Sequence, residues 1–145
     1  MEDAGFRTLT GYRQQDGHGM TEAMEDYLEM IYRAAHRGEG IRISDLAERL
    51  HVRPSSASRM VTKLADNGFL RYEKYGVIRL TEDGYTRGAY LLWRHGILNR
   101  FFCHINRTNS ELTLVEQIEH FIDERTVQHL AQLLSQMELQ QKATE

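Results

Sequence analysis

One cysteine, one proline and one tryptophan in 145 residues leave several protein classes without their materials. Cys103 has no second cysteine to pair with, so a disulfide-stapled secreted scaffold is excluded and a reducing, cytoplasmic setting is expected. No stretch approaches the ~18 consecutive apolar residues of a membrane span. The opening MEDAGFRTLTGYRQQDGHG has no apolar segment of the signal-peptide kind. No Ser/His/Asp or Cys/His arrangement is evident, and there is no pair of Glu-x-x-His motifs of the helical di-iron kind. The chain is therefore expected not to be an enzyme, and no organic cofactor and no membrane partner are expected.

What remains is a charged, helix-rich chain. Hydrophobic residues make up 41%, enough for one domain of ordinary size or two small ones sharing an interface. The net charge of −3 conceals a strong division. Residues 42–79 carry eight Lys/Arg against four acids, a local +4, while residues 1–41 and 106–145 each sum to −4. A basic middle between acidic flanks suggests a polyanion at the centre and cations at the flanks.

Residues 1–20 are Gly-rich and polar without a period, and read as a flexible N-terminal tail. From Thr21, the positions Met24, Tyr27, Leu28, Ile31, Tyr32 and Ala35 follow helical spacing until Gly38 and Gly40. A short helix follows at Ile43–Leu50, with Ser44 expected as its cap. His51-Val52-Arg53 makes a break, and Pro54 opens another helix at a position where its missing N–H costs nothing. Asn67-Gly68 closes that helix. Phe69–Glu73 and Val77–Leu80 are β-prone and flank a turn, so they read as a hairpin. Thr81 then caps a helix expected to reach about Ile105, and two more helices are expected near 113–122 and 124–140.

Helix, three-residue turn, helix and hairpin, in that order, is a winged helix-turn-helix. A major groove ~12 Å wide admits one helix whose first residues face the base edges. The candidate reading residues are Arg53, Pro54, Ser55, Ser56, Ser58, Arg59, Thr62 and Lys63, with Lys74, Tyr75 and Arg79 on the hairpin. Small hydroxyl residues let the backbone approach, and the arginines reach guanine or phosphate. Taken singly, each of these residues is also an ordinary helix-start or surface residue; it is the ordered pattern that points to double-stranded operator DNA.

A second constellation gathers acids and histidines. Asp26 and Glu29 are i, i+3 on the first helix. His95 lies mid-way along the long helix among apolar neighbours. Glu116, Glu119 and His120 are i, i+3, i+4 and are expected on one side of the fifth helix. Four carboxylates and two imidazoles suit hard or borderline cations such as Mn²⁺ or Fe²⁺ better than a thiolate site would. Six ligands exceed what one ion needs, so two ions per subunit are expected. Each residue alone has a plainer reading: Asp26 and Glu29 favour a helix start, Thr113–Glu116 fits a capping box, and His95 fits a satisfied core histidine.

The segments Met24-Glu25-Asp26-Tyr27-Leu28-Glu29-Met30-Ile31-Tyr32, Ile43-Ser44-Asp45-Leu46-Ala47, Pro54-Ser55-Ser56, Tyr72-Glu73-Lys74-Tyr75, Leu80-Thr81, Arg94-His95 and Glu116-Gln117-Ile118-Glu119-His120 together resemble the diphtheria-toxin-repressor family, in its manganese transport regulator branch. The likeness covers about residues 21–140. It implies a mainly α fold with a winged helix-turn-helix DNA-binding domain at 21–82 and a helical metal-binding and dimerisation domain at 83–145. It further implies a homodimer formed by the C-terminal helices, a two-ion site of Asp26, Glu29, His95, Glu116, Glu119 and His120, and repression of metal-uptake genes under Mn²⁺. Fe²⁺, Co²⁺, Zn²⁺ or Cd²⁺ could occupy the same ligands in vitro. An Fe²⁺- or Zn²⁺-responsive member of the family and a small-molecule-responsive winged-helix regulator are the competing readings.

Overall fold

The structure is a computed structural model that describes residues 20–73 and 75–145. The expected tail, Met20 apart, and Lys74 fall outside the described residues. Among those residues there are six α-helices and one two-stranded sheet. Helix α1 (Glu22–His36) begins where the Thr21 hydroxyl accepts a hydrogen bond from the Met24 N–H at 3.2 Å. It ends at Arg37, and Gly38 follows at φ +75°, a left-handed turn that glycine takes without steric cost.

Helix α2 (Ile43–Leu50) has Arg42 as its cap residue, two positions before the expected Ser44. Ser44 is thus inside the first turn and does not cap it; instead the Asp45 carboxylate accepts from the Arg42 N–H at 3.1 Å. The left-handed His51 turns the chain into α3 (Pro54–Asp66), which Pro54 opens. Gly68, at φ +85°, releases α3 into strand β1 (Leu70–Arg71). That strand pairs antiparallel with β2 (Arg79–Leu80), Leu70 facing Leu80. A bridge between Ile41 and Ile78 fastens this wing to the segment before α2.

Thr81 caps α4 (Glu82–Asn106) by accepting from the Gly84 N–H at 3.1 Å. Helix α5 (Leu112–Ile118) is followed by a single 3₁₀ turn at Glu119–Phe121. Asp123 caps α6 (Glu124–Thr144) through the Thr126 N–H at 2.7 Å. The fifth helix expected at 113–122 is therefore shorter and changes type near its end. Ile122 is extended, and the chain must straighten there before Asp123 can nucleate α6.

Two apolar cores lie along α4. The first joins α1, α2, α3 and the wing through Leu28, Ile31, Leu46, Val61, Leu64, Leu70 and Ile78, and extends to Leu91 of α4. The second packs Ile97 of α4 against Val127 and Leu134 of α6. Each such fully buried aliphatic side chain contributes roughly 1.5–3 kcal/mol. Helix α4 is thus a beam shared by both cores. Among the described residues no helix is long and apolar enough to cross a membrane.

The beam seats closely because two of its residues lack a Cβ. A Cβ on Gly84 would lie 2.1 Å from the Phe69 carbonyl oxygen, and one on Gly88 would lie 2.6 Å from Tyr32 Cβ. Urea unfolding of Gly84→Ala and Gly88→Ala is expected to show losses of about 1–3 kcal/mol each. Thr86→Ala, at an exposed position of the same turns, should stay within about 0.5 kcal/mol of the parent. Unchanged stability of both glycine variants would show that the beam is not tightly seated.

Candidate metal centre and nucleic-acid face

Helix α1 leaves the first core with Glu25, Asp26 and Glu29 turned toward α4 and the 3₁₀ turn. Three side chains from the other half meet them. His120 Nε2 is 3.0 Å from Asp26 Oδ1 and 3.9 Å from Glu119 Oε1. His95 Nδ1 is 2.9 Å from Glu119 Oε2 and 3.6 Å from Glu116 Oε1. Two ligand triads result, each with its donor atoms within 4.8 Å of one another: Asp26, Glu119 and His120, and Glu29, His95 and Glu119. Glu119, only 1% exposed, belongs to both.

Five of the six expected ligands are thus assembled. Glu116 stands beside them, its side chain 57% exposed, at the rim of a cavity of 320 Å³ lined also by Asp26, Glu29, Met30, Arg33 and His95. The sequence spacing placed Glu116, Glu119 and His120 on one α-helical face. The helix tightens from 3.6 to about 3 residues per turn after Ile118, where Glu119 is buried while Glu116, one turn before it, remains at the solvent edge of the cluster. Helix α5 is capped at Glu111, so Thr113 is within the helix and Glu116 is not held in a capping box.

The donor set fits a divalent cation. It is all carboxylate and imidazole, and Cys103 is outside both triads. Glu29 Oε1 is buried without a hydrogen-bond partner, its nearest cation being Arg33 at 3.6 Å. A buried carboxylate oxygen left in that state costs free energy that a bound cation would recover.

The protonation pattern agrees. Burial and the neighbouring Glu119 push the Glu29 carboxyl up to about 7, and burial and Glu119 also raise Glu116. The hydrogen bond to Glu119 raises His95 above its ordinary value, against the pull of burial. Burial pulls His120 down, but its hydrogen bonds to Asp26 and Glu25 push it up to about 10. Nε2 faces the Asp26 carboxylate, which only accepts, and Nδ1 faces Glu25 Oε1 at 3.2 Å with Arg94 Nη2 slightly farther off at 3.4 Å; the two carboxylates, as the nearer partners, place a hydrogen on each ring nitrogen.

A layer behind the ligands escaped the sequence reading. Glu25 is 6% exposed and Arg94 is 3% exposed. Glu25 Oε1 accepts from His120 Nδ1 at 3.2 Å, while Arg94 and Arg87 approach Glu25 Oε2 at 3.3 and 3.5 Å. Burial opposes ionisation of Glu25, yet the His120 hydrogen bond and the Arg94, His120 and Arg87 charges outweigh it and hold its carboxyl below the ordinary value. The one available signal was Glu25 adjoining Asp26 with an arginine adjoining His95.

Far from this cluster, α3 presents Arg53, Pro54, Ser55, Ser56, Arg59, Thr62 and Lys63 to solvent, with Ser58 half-buried. Thr62 Oγ1 donates to the Ser58 carbonyl, so its hydroxyl retains only acceptor capacity outward. On the wing, Arg79 is exposed and Tyr75, 81% exposed, sits in the left-handed region at φ +63°. Arg42, which the sequence reading passed over, donates to the Tyr75 carbonyl and ties the wing tip to the start of α2.

Comparison with known proteins places these features in context. A family model described as the iron dependent repressor N-terminal DNA-binding domain matches residues 19–78. The HTH-type transcriptional regulator MntR of Lysinibacillus sphaericus is 39% identical over 119 residues, 81% of this chain and 86% of that one. Among solved structures, the manganese regulator SloR is 27% identical with a TM-score of 0.69, over 80% of this chain and 55% of SloR. A manganese-dependent transcriptional repressor in complex with manganese is 26% identical with a TM-score of 0.71, over 77% of this chain and 52% of that one. The chain therefore spans about half the length of these solved regulators.

Because His120 and Glu29 hold protons near pH 7 and His95 holds its proton above the ordinary value, a cation must displace protons to reach these donors. Metal uptake near pH 7 is expected to release protons, and affinity to rise as pH is raised from 6 to 8. Calorimetry with Mn²⁺ in buffers of different ionisation enthalpy checks this; heats that do not depend on the buffer would contradict it.

Proposed function

The chain belongs to the iron-dependent repressor family of metal-dependent transcriptional regulators, and from that premise we propose that it is a Mn²⁺-responsive, DNA-binding repressor of metal-uptake genes. Residues 21–82 form the reading head. Residues 83–145 form the metal-binding and dimerising body. The observation that carries this reading is Glu119, a buried carboxylate shared by two triads whose other members come from both halves of the chain.

Asp26 and Glu29 belong to the reading head; His95, Glu116, Glu119 and His120 belong to the body. Two divalent ions would supply positive charge that offsets the crowded carboxylates and shifts the formal charge from −3 to about +1 per chain. The six ligands then fix α1 against α4 and the 3₁₀ turn, which sets the direction of α3. Body helices α4, α5 and α6 and the 3₁₀ turn expose Trp93, Ile105, Leu112, Phe121, Leu133 and Leu139, apolar surface suited to a second copy of the chain. In such a homodimer, the two α3 helices must be held about 34 Å apart to enter successive major grooves.

Arg53, Ser55, Ser56, Ser58, Arg59, Thr62 and Lys63 would contact bases and phosphates, and Lys74, Tyr75 and Arg79 the backbone alongside. Hard oxygen donors and the absence of thiolate favour Mn²⁺, two per subunit. SloR is a manganese regulator by name, while ScaR, a further structural relative, has been solved with Zn²⁺ and with Cd²⁺. The same donors would take Fe²⁺, Co²⁺, Zn²⁺ or Cd²⁺ in vitro, because affinity follows the Irving–Williams order.

The test begins with duplexes selected from a random library by the protein with Mn²⁺ present. Fluorescence anisotropy on a selected duplex should show about 5–150-fold tighter binding with Mn²⁺ than with a chelator. Glu119→Gln should lose that response while keeping its helical circular dichroism. Arg59→Ala should weaken binding with the metal response retained. Equal affinity with and without Mn²⁺ would overturn the proposal.

A further inference from the structure

Glu25 is an acid buried on the face of α1 that meets the body, next in sequence to a proposed ligand but outside both triads. Its two oxygens are used differently. Oε1 takes the His120 Nδ1 hydrogen at 3.2 Å; Oε2 is approached by Arg94 at 3.3 Å and Arg87 at 3.5 Å. The two guanidinia are two turns apart on α4, and both lie over the ring of Tyr90, at 5.1 and 5.9 Å from its centre. Each keeps a buried Nε with no hydrogen-bond partner. Two cations converging on one carboxylate, with polar atoms left unsatisfied, is a costly arrangement for fold stability alone.

We propose that Glu25 is a positioning residue for the first ion: clamped by Arg94 and Arg87, it takes the Nδ1 hydrogen of His120 and so aims Nε2 at Asp26 and Glu119. The proposal rests on the metal-dependent reading above and adds to it the group that selects the imidazole tautomer. An imidazole ligand must present a bare nitrogen, and which nitrogen is bare is set by the hydrogen bond at the other. Arg94 Nη2, a donor, also lies 3.4 Å from Nδ1, so it is the nearer Glu25 Oε1 at 3.2 Å that keeps the hydrogen there; only Nε2 is then available, and it faces two carboxylates of the first triad. His95 is outside Glu25's reach, since its Nδ1 is engaged by Glu119 and Glu116. Glu25 therefore acts on one ion and leaves the other alone, which a generic buried ion pair would not do.

The test measures stepwise Cd²⁺ binding by calorimetry, with ¹⁵N NMR of the imidazoles in the Cd²⁺-loaded protein. The parent chain should take up two ions and show His120 as the Nδ1–H tautomer. In Glu25→Ala one binding step should weaken by about 10–100-fold, the range typical of lost outer partners. The other step should hold within about twofold, and the His120 tautomer should become mixed. Glu25→Gln, which keeps an acceptor oxygen, should restore the tautomer and most of the affinity. If Glu25→Ala fails to fold because two guanidinia lose their counter-charge, Glu25→Ala/Arg94→Met removes one of them and should show the same one-step loss. Two steps unchanged in the variants, or both weakened equally with the tautomer intact, would overturn the role of Glu25 and leave the function standing. A parent chain that takes up no Cd²⁺ would overturn both.

Discussion

A carboxylate that is 1% exposed cannot be left unpaired, because removing its charge from water costs several kcal/mol. Glu119 is in that position, at the start of a 3₁₀ turn, between the imidazole of His95 from α4 and that of His120, its neighbour in the same turn. His95 turns Nδ1 toward one of its oxygens and His120 lies beside the other, while Asp26 and Glu29 of α1 add like charge that a proton or a cation must offset. Without a cation the demand is met by protons, which is why both histidines and Glu29 hold theirs so firmly.

The position of that carboxylate gives it leverage. Helix α4 enters the first core as far as Leu91 and begins the second at Ile97, and His95 lies between the two. A change in what Glu119 and His95 hold is therefore applied at the point where the two cores join. The close seating of Gly84 and Gly88 against Phe69 and Tyr32 keeps the front of α4 rigid against the wing and α1.

Much of this was legible from residue order. Helical spacing located α1 through α4, Gly38 and Gly68 marked turns that proved left-handed, and the acid and histidine spacing picked out five side chains that converge. Thr81 was recognisable as a cap because a hydroxyl followed by acids is a strong local signal. Non-local causes were less legible. Ser44 does not cap α2 because the cap position falls two residues sooner, at Arg42, next to the Ile41–Ile78 bridge that only the wing could create. Glu116 stays near the cluster, 3.6 Å from His95, but more exposed than Glu119, where the α-helix gives way to the 3₁₀ turn. Glu25 and Arg42 looked like ordinary surface charges, since their partners are 95 and 33 residues away.

The shared-carboxylate site is most directly tested by anomalous diffraction at the manganese edge from crystals grown with Mn²⁺. Two peaks per chain are expected, one on each side of the Glu119 carboxylate, with Asp26 and His120 at one and Glu29 and His95 at the other. Peaks confined to surface carboxylates, or a Glu119 side chain touching no metal, would contradict it.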